Sequence, residues 1–274
     1  MATKEMNIKI WGLIGILVIA AWLLGSVTDA MAVKGEEVIY KADGVVLKGY
    51  MAYDDVVAGK RPGVLVVHDW WGIGEFFRDR ARELAKLGCT ALAVDMYGDG
   101  KEANNPDEAG KFAGEVRKNP SMMKARFDAA RDALIKHPSV DPKRIAAIGY
   151  SLGGYIVLEM ARQGSDLAGV VVFWGTLKTE KPAQKGMVKA KVLVLTATED
   201  PWVPAEQVKQ FKAEMEAAGV DYKVIDYPNT KHGFSRHDAD SRAKKFNLPL
   251  AYNADADRKS WAEMEAFFSL LFRK

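Results

Sequence analysis

The sequence predicts an α/β domain built on a mostly parallel sheet with helices on both faces, and three observations carry that expectation. Short uninterrupted apolar runs recur along the chain at Gly63 to Val67, Ala91 to Val94, Ile145 to Ile148, Val170 to Phe173 and Val192 to Leu195. Runs of this length suit strands buried on both sides. Segments of helical periodicity lie between them, and strands that alternate with helices form parallel units. Finally, the 274 residues are 49% hydrophobic and 27% charged, with no repeat, low-complexity tract or Gly/Ser linker, which fits one large domain.

The elements follow in order. Val38 to Lys41 and Val45 to Tyr53 read as an antiparallel pair turning at Asp43-Gly44. Phe76 to Leu87 is a helix with Phe77, Ala81 and Leu84 on one face, and Gly88 ends it. After Ala91 to Val94, a polar excursion from Gly98 to Asn119 reads as either a mobile lid or a surface insertion. Helices are expected over Ser121 to about His137, Leu152 to Arg162 and Pro204 to Ala218, with a last strand at Tyr222 to Tyr227. Asn253, Asp255 and Asp257 open a final helix that should bury Trp261, Met264, Phe268 and Leu271.

Residues 1–32 stand apart from this domain, which is expected to span 33–274. Lys4 and Lys9 precede an uncharged run from Ile10 to Thr28, which ends in Ala30-Met31-Ala32, small residues where a signal peptidase reads. The run is also long enough for an uncleaved membrane anchor. In both cases the domain is exported, so a periplasmic or secreted location is expected, with the membrane touched only through this segment. The net charge of +3 is spread among interleaved acids, without the basic stripe that nucleic-acid binding needs. Cys89 is the only cysteine, which excludes an intramolecular disulfide; it reads as a small buried residue at a strand start.

The chemistry gathers at the strand ends, where ligands sit in such a sheet. Gly149, Ser151 and Gly153 make a G-x-S-x-G pattern between an apolar strand and a helix. A strained turn there lifts one hydroxyl above the sheet, while glycines remove colliding side chains. A serine hydroxyl needs a base within hydrogen-bond reach, itself oriented by a third group. Of four histidines, His137 reads as a solvated helix end, His68 opens an aromatic loop and His237 lies in a polar stretch. His232 follows the last strand with Gly233 beside it, and is the best base. Asp200 is the acid, with Asp226 the weaker alternative and Glu199 facing elsewhere; the chain order Ser, acid, His is the one expected. The backbone N–H groups of Leu152 and Trp70 are the oxyanion donors. Trp70, Trp71, Trp174 and Trp202 all fall at strand ends and should wall an apolar pocket. Because the base must be neutral, activity should fall below roughly pH 6 to 7.

Together, H-D-W-W-G at 68–72, D-M-Y-G at 95–98, G-Y-S-L-G-G at 149–154, A-T-E-D-P-W-V-P at 197–204 and K-H-G-F at 231–234 resemble the dienelactone hydrolases, from about Glu36 to the C-terminus. The resemblance implies the α/β-hydrolase fold and cleavage of small esters or lactones, with no cofactor and no metal. It makes Ser151 the nucleophile, in place of the cysteine of the best-studied members, Asp200 the acid and His232 the base. Asp69 falls where the family has a glutamate that touches the nucleophile. Arg236 matches one carboxylate-binding arginine; where the family has a second, Gly98 is followed by Asp99, which argues against dienelactone itself. Tyr97, Tyr150 and Phe234, within these motifs, are the remaining expected substrate contacts. A monomer acting on a small-molecule ester or lactone is expected. The alternatives are a sugar-ester or peptide substrate, or a non-catalytic binding protein on the same scaffold.

Overall fold

The computed structural model describes residues 33–56 and 58–273, so the export segment expected at 1–32 lies outside the described residues. β1 (Val33–Ala42) and β2 (Val45–Asp54) form the expected antiparallel pair, which begins five residues before Val38. Asp43 and Gly44 both take positive φ, 48° and 78°, as a two-residue turn matching the twist of a hairpin requires. β3 (Arg61–Val67), β4 (Thr90–Val94), β5 (Val140–Tyr150), β6 (Gly169–Phe173), β7 (Lys191–Ala197) and β8 (Tyr222–Tyr227) pair with one another in parallel. The sheet order is β1-β2-β4-β3-β5-β6-β7-β8, with β2 antiparallel to β4.

Side-chain alternation along the strands divides the core in two. Leu65 and Val67 face the helices α2 (Pro106–Lys118), α3 (Pro120–Ile135), α4 (Leu152–Arg162) and α5 (Ala205–Ala218), through Val116, Phe127, Ile156 and Phe211. Val64 and Val66 face α1 (Glu75–Lys86) and α7 (Ala254–Leu271), through Phe77, Leu84, Met264 and Phe268. In α7, Trp261 and Leu271 are only partly buried against this cluster. Among the described residues, no helix is long and apolar enough to cross a membrane.

Two segments depart from the expectation. The polar excursion over 98–119 contains α2, capped by the Asn105 side chain, which accepts the Glu108 N–H at 3.0 Å. Ala109, Ala113 and Val116 form its buried stripe at helical spacing, so most of the excursion is packed structure. Alanines contribute so little hydropathy that the charged face hides this stripe. α6 (Ala239–Phe246) is a further helix, too polar to be read from periodicity and ended by Asn247 in the left-handed region. Cys89 is buried as expected, and burial pushes its thiol up to about 12, so it stays protonated.

A buried histidine helps to join the loops that follow β3 and β4. His68 is wholly buried; its Nδ1 lies 2.5 Å from the Asp69 carbonyl oxygen, and its Nε2 accepts the Met96 N–H at 3.2 Å. The proton therefore sits on Nδ1 of a neutral ring, and burial holds the pKa of that ring below its ordinary value. The unfolded chain binds a proton more readily than the folded one. This residue's contribution to stability is thus complete above about pH 6.5 and declines as the pH falls below it. The thermal midpoint should drop between about pH 7 and pH 5, and His68→Gln should show a shallower drop in circular-dichroism melts across that range.

α4 lies directly on the end of β3. A Cβ on Gly153 would stand 2.1 Å from the Val67 carbonyl oxygen and 2.7 Å from that of His68. Neither can retreat without disturbing the strand end, and overpacking costs about 1–3 kcal/mol even where neighbours yield. Gly153→Ala should therefore cost at least about 3 kcal/mol in urea unfolding. Gly110→Ala in α2, where a Cβ meets open space, should be neutral or stabilise by up to about 1 kcal/mol.

Candidate active site

Ser151 stands between the last residue of β5 and the first of α4 with φ 52° and ψ −109°. An L-residue held there stores about 1–3 kcal/mol of strain and needs surroundings that over-determine it. They do so here through backbone bonds: the Ser151 N–H donates to the Phe173 carbonyl at 3.1 Å, and the Ser151 carbonyl accepts the Tyr155 N–H at 3.1 Å. A Cβ on Gly149 would lie 2.2 Å from the Gly153 carbonyl oxygen, and one on Gly154 would lie 2.9 Å from the Gly175 Cα. The glycines of the motif thus answer to contacts between backbones.

The three expected side chains meet. His232 Nε2 lies 2.8 Å from Ser151 Oγ, and His232 Nδ1 lies 2.6 Å from Asp200 Oδ2. With Nδ1–H donating to the carboxylate, Nε2 is left to accept the serine proton. Asp200 Oδ1 accepts the Trp202 N–H at 2.9 Å, which fixes the carboxylate from its other side. The rings of Trp174 and Trp202 stand edge-on to the imidazole, with centroids 4.9 and 4.5 Å away. Glu199 is exposed and Asp226 lies near Lys212 at 3.7 Å, so neither competes for the histidine. His237 meets Asp257, and His137 is partly buried against Tyr53 instead of fully solvated. Leu152 opens α4, where its N–H has no preceding helical carbonyl to reach.

The expected substrate contacts need correction. Tyr150 and Phe234 are wholly buried; the Tyr150 ring stacks on Phe173 at 4.6 Å, beneath the surface. Trp174 is buried behind His232 and donates its indole N–H to Ser235 Oγ at 2.8 Å. Trp71 is buried against Phe246 and Arg242, and Tyr97 is buried with its hydroxyl donating to the Trp70 carbonyl at 2.9 Å. Of the four tryptophans, only Trp202, 38% exposed, and the half-buried Trp70 reach solvent, so the aromatic wall is two rings wide.

Asp69 and Arg236 also differ from the resemblance. Asp69 Oδ1 accepts the Trp71 N–H at 2.8 Å and Oδ2 accepts from Arg236 Nη1 at 2.8 Å, so both oxygens brace the loop. Arg236 further donates from Nε to Asp238 at 2.6 Å and from Nη2 at 3.3 Å. Burial opposes its charge, yet the Asp69 and Asp238 carboxylates raise its pKa. Such a guanidinium is occupied before any ligand arrives.

Three residues have supporting roles that the motifs alone do not assign: His68, Ser235 and Asp95. Both oxygens of Asp95 are filled by backbone, Oδ1 accepting from Tyr97 and Gly98 and Oδ2 from Lys48 and Gly100. An aspartate at a strand end followed closely by Gly98 and Gly100 was a legible sign of that turn. Among the described residues, no group of three or more side chains suited to a metal ion occurs.

Comparison with known proteins agrees with this fold. The family model for the dienelactone hydrolase family matches residues 47–272. The Yersinia pestis protein named "Putative carboxymethylenebutenolidase" is 29% identical over 245 residues, covering 85% of this chain and 87% of that one. The Bradyrhizobium protein named "Probable 2-oxo-3-(5-oxofuran-2-ylidene)propanoate lactonase" is 27% identical over 68% of this chain and 78% of that one. The crystal structure of a dienelactone hydrolase-like promiscuous phosphotriesterase, P91, from metagenomic libraries superposes with a TM-score of 0.83 at 34% identity. It covers 88% of this chain and 100% of that one. An eight-stranded sheet with a strained Ser151 at its centre, and a family match over most of its length, show that this chain belongs to the dienelactone hydrolase family.

Proposed function

We propose that this protein hydrolyses small carboxylic esters or lactones through an acyl-enzyme on Ser151. The observation that carries the reading is the unbroken relay from Ser151 Oγ to His232 at 2.8 Å and on to Asp200 at 2.6 Å. His232 Nε2 takes the serine proton as Oγ attacks the carbonyl carbon, while Asp200 holds the imidazole and stabilises its charged form. The tetrahedral oxyanion accepts the Leu152 and Trp70 N–H groups. His232 then returns the proton to the leaving alkoxide, which in a lactone stays tethered to the acyl group. Water, activated by the same imidazole, releases the acid. The lactonase name of the Bradyrhizobium relative supports the inclusion of cyclic esters. The occupied state of Arg236 favours uncharged acyl groups, since a substrate carboxylate would have to displace Asp69 or Asp238 from a buried ion pair. The leader-like residues 1–32 support export of the domain.

A fluorophosphonate should label Ser151, located by peptide mass spectrometry, and Ser151→Ala should abolish labelling and reduce p-nitrophenyl acetate hydrolysis by about 10⁴-fold or more. Asp200→Asn should cost about 10⁴ in kcat. Wild-type rates in Ser151→Ala would refute the acyl-enzyme.

A further inference from the structure

We propose that His68 and Tyr97 are positioning residues that aim the Trp70 N–H at the carbonyl oxygen of the bound ester, an inference that rests on the acyl-enzyme reading above. The loop after β3 has few backbone groups, and their partners can be followed one by one. The Trp71 N–H goes to Asp69 Oδ1 at 2.8 Å, and the Gly72 N–H goes to the Asp69 carbonyl at 3.4 Å. Among the described residues, none accepts the Trp70 N–H. Among the described residues, it is the one backbone donor from Trp70 to Gly72 left for a ligand.

Its direction is set from the other end of the same peptide. In a trans peptide the C=O and N–H point to opposite sides, and the chain has no cis bond among its described residues. The Asp69 carbonyl faces His68 Nδ1 at 2.5 Å, so the Trp70 N–H must face away from that buried ring. His68 cannot turn, because its Nε2 is held by the Met96 N–H at 3.2 Å and its ring lies against Tyr97 at 4.6 Å. The following peptide is fixed in turn, as the Tyr97 hydroxyl donates to the Trp70 carbonyl at 2.9 Å. Burial raises the pKa of that phenol, which keeps the donor in place. Both peptides that flank Trp70 are thus clamped, one by His68 and the other by Tyr97 from the β4 side, and the residue between them presents its N–H without freedom to rotate away.

The clamped loop lies at the reacting centre. The Gly153 backbone abuts the Val67 and His68 carbonyls, which sets the start of α4 and its Leu152 N–H beside this segment. The Trp70 ring lies 6.2 Å from that of Trp202, which covers His232.

A paired substrate separates aim from general damage. An oxoester develops an oxyanion that accepts strong hydrogen bonds, whereas the matching thionoester develops charge on sulfur, a poor acceptor that gains little from the same donors. Tyr97→Phe, which removes one hydroxyl from a buried ring, should lower kcat for the p-nitrophenyl oxoester about tenfold, with KM changed less than about twofold. Its rate on the thionoester should stay near wild type. His68→Leu should lower the oxoester kcat by about 100-fold, and His68→Asn, whose amide can still donate to the Asp69 carbonyl, should recover part of the loss. Equal losses on both substrates, or an unchanged oxoester kcat in Tyr97→Phe, would overturn the assignment while leaving the acyl-enzyme standing. Failure of wild-type protein to label with a fluorophosphonate would overturn both.

Discussion

The strained backbone of Ser151 is the constraint from which the rest of the site takes its coordinates. A left-handed serine at the end of a buried strand persists only when its neighbours exclude every relaxed alternative. Here the exclusion is literal: Gly149 touches Gly153, Gly153 touches the end of β3, and Gly154 touches Gly175 beyond β6. The elbow therefore contacts the strands on both sides of its own. Through them it sets the height of the loop that carries Trp70 and of the turn that carries Trp174. A side chain larger than hydrogen at any of these glycines would alter more than the serine, because it would separate the loops that must converge on it.

A second layer is built from buried arginines. Arg80 is buried, lies 4.9 Å from the ring centres of both Phe76 and Trp261, and donates to Asp257 and to the Ser235 carbonyl at 3.0 Å each. The Ser235 hydroxyl holds the Trp174 indole, which lies against His232. A guanidinium outside the relay thus supports, through Ser235, the ring that packs against the imidazole. Buried ion pairs add little net stability, because desolvation offsets their attraction, but they tolerate few alternative arrangements. That intolerance is what a relay with contacts below 3 Å requires.

The fold and the relay were legible in the sequence for a physical reason, and the pocket was not for another. Parallel strands buried on both faces leave unmistakable apolar runs, and Ser151 and Asp200 each follow one of them, while His232 follows the parallel edge strand β8 at the same end of the sheet. Which way a side chain points after a strand ends is a different matter. Tyr150 is adjacent to the serine in sequence yet faces Phe173 inside the core, since neighbouring positions of a strand take opposite faces. Arg236 is expected from the resemblance to bind a substrate carboxylate, whereas its buried partner Asp69 lies 167 residues away along the chain. Ala109, Ala113 and Val116 were hidden among charges, so α2 read as an irregular excursion.

Asp69 shows how the two halves of the site are tied into one. One oxygen fixes the turn that presents the Trp70 N–H, and the other binds Arg236, four residues beyond His232. A ring of contacts closes: Ser151 to His232, along the chain to Arg236, across to Asp69, back through His68 and the end of β3 to Gly153, and so to Ser151. In an open chain of contacts each link adds its own slack, whereas a closed ring lets the error at any link be corrected from both directions. The Asp69 carboxylate is held by backbone and arginine at once. Any freedom of that group to follow a substrate is given up, and the separation between the general base and the proposed oxyanion donor is fixed before a ligand enters. Such preorganisation is worth most where charge develops on a single oxygen, because donors already in place need not reorient as it forms.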